Sequence, residues 1–90
     1  MPTVRIPYRP GLVGELRRIR MWLLEEQEGR CAICGAMPNG RTLSLDHDHE
    51  TKLIRGMLCS GCNTGLGMFK DDPALLARAI VYLEEHGRSY

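Results

Sequence analysis

Leu45-Asp46-His47-Asp48-His49 sets two carboxylates and two imidazoles in four consecutive positions, in a 90-residue chain with only three histidines. Such groups are costly to bury and are usually spread apart, so their density points to a metal, a reaction or a solvated turn. Asp46 and, further along, Asn63 offer hard oxygen donors of the kind magnesium takes, since that ion keeps several waters and needs few protein ligands. A neutral imidazole beside them, that of His47, could deprotonate a water. Each of these residues taken alone reads as a turn former or an ordinary surface group. The set of three reads as a site.

A second constellation is sulfur. Cys31-Ala32-Ile33-Cys34 and Cys59-Ser60-Gly61-Cys62 are C-x-x-C pairs with 24 residues between them. Two thiolates at this spacing on a tight knuckle point at one ion, and two knuckles complete a tetrahedral shell around zinc at about 2.3 Å. Cys31, Cys34, Cys59 and Cys62 are therefore the expected ligands of a structural zinc, with Gly35 and Gly61 relieving crowding in the knuckles. A shell closed by four sulfurs leaves no position for catalysis. Such a staple is also needed, because a chain this short buries only about 60–65% of its unfolded surface. One Trp, one Phe and three Tyr supply few large anchors.

Two disulfides or a redox dithiol are the competing reading of the cysteines. The opening residues MPTVRIPYRPG lack the apolar run of a signal peptide, so a reducing, cytoplasmic compartment is expected, where paired cysteines usually hold metal. No stretch approaches the roughly 20 apolar residues of a membrane span. A net charge of +1 announces neither a basic nor an acidic partner.

These groups need a scaffold. Pro2, Pro7 and Pro10 make residues 1–10 an extended arm, either loose or packed. Leu12, Leu16, Ile19 and Leu23 recur at helical spacing, which predicts a helix over 11–29 closed by Gly29. Arg17 and Arg18 lie off that stripe and Arg20 flanks it. Met37 to Gly40 reads as a turn, 42–48 and 53–59 as the strands of a hairpin turning at 50–52, and Ser60 to Met68 as a short helix. Gly65 and Gly67 weaken this helix, so metal or tertiary contacts must hold it. Asp72 as N-cap, Pro73 at the first position and the stripe Leu76, Ala79, Ile80 and Leu83 predict a last helix over 72–86. Regular alternation would put His47 on the face of Leu43 and Leu45, opposite Asp46; alternatively the strand ends near Asp46 and His47 begins a turn.

The elements CAIC and LSLDHDHETKLIRGMLCSGCNTGLG, from about Arg30 to Gly67, resemble the recombination endonuclease VII family of phages and bacteria, within the HNH (ββα-metal, His-Me finger) nucleases. DDPALLARAIVYLEEHG also fits the tail common in small members. The resemblance implies an α+β fold: one domain over 1–90, with a zinc-stabilised ββα-metal core at 30–69 between an N-terminal and a C-terminal flanking helix. It implies hydrolysis of DNA phosphodiester bonds inside a bacterial or phage-infected cell. Asp46 and Asn63 would hold a catalytic Mg2+ or Mn2+, His47 would be the general base, and His49 would polarise the water or contact the phosphate. Asp48 and Glu50 would only orient the histidines. Activity should then rise with pH as His47 loses its proton.

Arg55, Lys52 and Arg41 at the hairpin, and Arg17 and Arg20 on the first helix, are the candidate phosphate contacts. Arg55 reads equally as a brace for the thiolates, and the helix arginines as a solvated face. Junction-resolving members add entwining helices and a second acid soon after the asparagine, where this chain has Leu66. Nicking or double-strand cleavage, by a monomer or by a homodimer on DNA, is therefore expected. Junction resolution and a non-catalytic zinc module that binds DNA or protein are the alternatives.

Overall fold

A computed structural model describes residues 5–37 and 43–87. The chain runs α1 (Val13–Glu26), β1 (Ser44–His47), β2 (Ile54–Leu58), α2 (Ser60–Met68) and α3 (Pro73–His86), an α+β arrangement. Each element lies inside the segment that periodicity and capping predicted. The turn expected after Met37 lies outside the described residues.

α1 buries Ile19 and Leu23 but leaves Leu12 exposed, so the predicted stripe is only half used. Glu28 and Gly29 turn left-handed, and the Gly29 N–H closes onto Leu24 O at 2.8 Å. That closure frees the last-turn residue Gln27 to face β2. Its Oε1 accepts from Met57 N at 2.9 Å, and its Nε2 donates to Met57 O at 3.0 Å. The amide thus pairs with the strand as a neighbouring backbone would. Gln27→Leu strands the N–H of fully buried Met57, so a loss of about 1–3 kcal/mol is expected, read as a lower denaturant midpoint of the zinc-loaded protein.

β1 and β2 form a two-stranded antiparallel sheet, marginal alone. The arm completes it. Pro7 bridges Leu53, the Tyr8 N–H donates to Lys52 O at 2.7 Å, and the Ile54 N–H donates to Ile6 O at 2.8 Å. Of the two readings of the arm, residues 5–9 therefore take the packed one. With neighbours on both sides, β2 supplies Ile54, Met57 and Leu58 to a core that also takes Ile19, Leu23, Cys31 and Leu43.

Pairing is irregular at one place. Asp46 opposes Gly56 but His47 opposes Ile54, so Arg55 is an extra, bulged residue. A bulge re-aims side chains and breaks the two-residue alternation of the strand that carries it, here β2. At the hairpin turn, Asp48 Oδ1 accepts from Glu50 N at 2.7 Å and Thr51 N at 3.1 Å. Those N–H groups lower the Asp48 pKa from the ordinary carboxylate value. Its turn-stabilising effect is complete at neutral pH and fades as pH falls through that lowered value. Asp48 is a turn former.

α3 starts as predicted, with Asp72 Oδ1 accepting from Ala74 N at 2.9 Å and Pro73 in the first turn. It buries no residue, however, and Ile80 and Leu83 of the expected core stripe are 58% and 50% exposed. α1 and β2 already fill the core, and among the described residues nothing covers the outer half of α3.

Candidate functional site

The knuckles form where α1 ends and where β2 passes into α2. Gly35 turns left-handed at φ 74°, and the Cys31 N–H donates to Ala36 O at 2.9 Å, which closes the first loop. The second is the helix start itself: Cys59 is the N-cap of α2, and its Sγ accepts from Cys62 N. Gly61 lies in α2 with open space where a β-carbon would point, so it relieves no crowding, contrary to expectation. The four sulfurs all lie within 4.8 Å of one another, with Cys34 Sγ and Cys59 Sγ 3.7 Å apart. Sulfurs at about 2.3 Å from a tetrahedral ion are separated by about 3.8 Å. The set fits one zinc ion.

Burial pushes the Cys31 thiol up, but backbone hydrogen bonds at Cys59, Cys34 and Ile33 outweigh it and leave the pKa at about 6. Burial, with hydrogen bonds to the three other cysteines, pushes Cys62 up to about 12. The cluster therefore gives up its first proton readily and its last only to a bound cation.

Asp46, Asp48, His49, Arg55, Asn63 and Asp71 border one open cleft of about 730 Å³ between the hairpin, α2 and the turn before α3. β1 supplies Asp46 and α2, which starts at the cysteine cluster, supplies Asn63, so the two oxygen donors expected to act together share this cleft. Among the described residues, five carboxylates and two cations line it.

The histidines divide. His49 borders the cleft, but His47 does not. The His47 ring lies flat on Tyr8, with centroids 4.0 Å apart and planes 4° apart, and its centroid is 5.2 Å from that of His49.

The cations expected at phosphates also divide. Arg17 and Lys52 are exposed. Arg20 donates to Leu43 O at 3.2 Å, so one of its donors serves the fold. Arg55 is clamped to Asp46, through Nε to Oδ2 at 2.6 Å and Nη2 to Oδ1 at 3.1 Å, and its Nη2 also reaches Asp71 Oδ2 at 3.1 Å. Hydrogen bonding to Asp46, then to Asp71, raises its pKa above the usual arginine value. It braces acids, and neither of the readings made of it from the sequence named this role. Arg41 lies outside the described residues.

Sequence reasoning missed Tyr8 and Asp71. Nothing in an extended proline-rich segment names the partner of Tyr8. Asp71 did carry a signal: Asp72 caps α3, so the acid before it has no capping duty.

The recombination endonuclease VII family matches residues 5–85 of the chain. The Gene 59 protein of Mycobacterium phage D29 is 47% identical over 68 residues, covering 71% of this chain and 41% of that protein. The Gene 59 protein of Mycobacterium phage L5 is 47% identical over 77 residues, covering 81% and 44%. The chain spans less than half the length of these curated relatives. No solved structure matches it. Among the described residues no helix is long and apolar enough to cross a membrane. A match that runs from the arm through both cysteine pairs, the hairpin and Asn63 into α3 means that the chain belongs to the recombination endonuclease VII family.

Proposed function

We propose that this chain hydrolyses DNA phosphodiester bonds as an endonuclease of the HNH, or ββα-metal, type. The observation that supports this best is the shared cleft of Asp46, His49 and Asn63, in a member of an endonuclease family. The order β1, β2, α2, with Asp46 on the first strand and Asn63 on the helix, supports the ββα-metal assignment. The acid excess of the cleft supports a bound cation, because a polyanion does not approach five carboxylates unless their charge is offset.

Mg2+ or Mn2+ held by Asp46 and Asn63 would polarise the scissile phosphate and offset charge on the leaving oxygen. The chain's own groups do the rest. His47 accepts the proton of the attacking water. Tyr8, stacked on that imidazole, fixes the plane in which its nitrogens point. His49 hydrogen-bonds the phosphate or the water. Exposed Arg17 and Lys52, with Arg41 and the remaining donors of Arg20, meet the DNA backbone and carry no sequence preference.

The role of Tyr8 is testable apart from the rest. Tyr8→Phe keeps the stack and is expected to cleave at close to the wild-type rate. Tyr8→Ala is expected to lower kcat about ten- to a hundredfold with little change in KM, and to abolish the ring-current shift of the His47 imidazole protons in NMR spectra.

The reading as a whole is tested on supercoiled plasmid with Mg2+ or Mn2+, where nicked circles and linear DNA are expected. Plasmid left supercoiled with every divalent ion would overturn it. Junction resolution is an equal second reading. The exposed Ile80 and Leu83, one helical turn apart on α3, favour it, because an uncovered apolar face suits a second copy and two copies bring two sites to one branched DNA. Cleavage of a four-way junction in preference to linear duplex of the same sequence would select it.

A further inference from the structure

Arg55 is placed where a cation would go. As the bulged residue of β2, it turns its guanidinium onto Asp46 and engages both carboxylate oxygens, at 2.6 and 3.1 Å. The Asp46 side chain is only 11% exposed and that of Arg55 34%, so the carboxylate is shielded from water while the outer guanidinium stays open to it. The same Nη2 reaches Asp71 at 3.1 Å. One nitrogen thus lies between two acids.

Asp71 reaches that nitrogen by an unfavourable route. Lys70 and Asp71 are consecutive non-glycine residues with φ of 58° and 53°, left-handed conformations that glycine adopts freely and a β-carbon resists. The turn closes through Lys70 N to Gly67 O and Asp71 N to Leu66 O, both at 2.9 Å. Glycine would make that turn at less cost. An aspartate held there is accounted for by its carboxylate, whose hydrogen-bond partner among the described side chains is Arg55.

The geometry points to a placeholder. Arg55 occupies the Asp46 carboxylate before the divalent cation does, and Asp71 is the positioning residue that receives the guanidinium when the cation takes its place. The inference rests on the proposed reading of Asp46 as a ligand. Held on Asp71, Arg55 stays in the cleft with its outer donors free for a phosphate oxygen. Exchange of one cation for another also spares Asp46 from standing half-buried and uncompensated.

The two residues then act on cation affinity with opposite signs, which shared structural roles would not do. Mn2+ is titrated into zinc-loaded protein without DNA and followed by electron paramagnetic resonance. Arg55→Gln removes a competing positive charge and is expected to tighten Mn2+ about tenfold. Asp71→Gly leaves Arg55 with Asp46 alone and is expected to weaken Mn2+ about tenfold. Glycine suits the backbone at 71, so zinc content and far-UV circular dichroism should be unchanged. In the Arg55→Gln background the Asp71→Gly loss should shrink to a fraction.

Mn2+ affinity unchanged or weakened in Arg55→Gln overturns the placeholder. A full tenfold loss that persists in the double variant overturns the positioning role, because Asp71 would then act on the cation directly. Asp46→Asn separates the two levels: if it binds Mn2+ as wild type does, the ligand reading of Asp46 fails, and with it the basis of the placeholder.

Discussion

Replacing His47 with alanine is expected to lower the rate of plasmid cleavage about 10²–10⁴-fold, the range for loss of a positioned general base, while zinc content, fold and Mn2+ affinity hold. The side chain is half-buried at the end of β1, and the core consists of other residues. Its removal exposes one face of Tyr8 and leaves β2 paired with the arm. Chemical rescue carries the sharper signature. In His47→Ala, added imidazole should restore part of the rate.

Asn63→Ala should fail differently. On its proposed role as a ligand of the cation, its rate should recover as Mn2+ is raised. His49→Ala decides between the imidazoles. His49 borders the cleft and His47 does not, so the assignment reverses if His47→Ala cleaves within a few-fold of wild type and His49→Ala does not cleave.

What the sequence disclosed follows from the range of the interactions. The C-x-x-C spacing is set by the geometry of one ion, so Cys31, Cys34, Cys59 and Cys62 could be paired from spacing alone, and their sulfurs do converge. Helix limits were legible where local chemistry decides them, as at Asp72 and Pro73. Two kinds of feature were not legible. The extra residue at Arg55 belongs to a pairing of two strands, and neither strand shows it when read alone. The meeting of Tyr8 with His47 depends on the arm docking on Leu53. α3 shows the converse limit. Its apolar stripe marks a face to be covered but does not say by what, and in this chain Ile80 and Leu83 stay exposed.

Stripping the zinc is expected to unfold the protein and end cleavage together, even with ample Mg2+. The seven buried core positions among the described residues include Cys31 of the cysteine cluster. α2 buries nothing, contains three glycines (Gly61, Gly65 and Gly67), and begins on Cys59 with Cys62 in its first turn. Without metal this helix has no anchor, and Asn63 goes with it. Structural zinc contributes about 10–16 kcal/mol in small modules, against a total stability of about 5–15 kcal/mol for ordinary domains. Acid should act through the same site. Zinc binds thiolates, and Cys31 is already deprotonated above about pH 6. Lowering pH through that value returns a proton that zinc must displace, so affinity falls as pH falls. Cys62, held up to about 12, is protonated at every working pH until the ion arrives, so loading should also release protons into a weakly buffered solution. Zinc release to a chromophoric chelator and loss of helical circular dichroism should coincide along one acid titration. A stripped protein that keeps its helical signal and its thermal transition would mean that the hydrophobic core holds the fold alone, and the cleft would then owe nothing to the knuckles beside it.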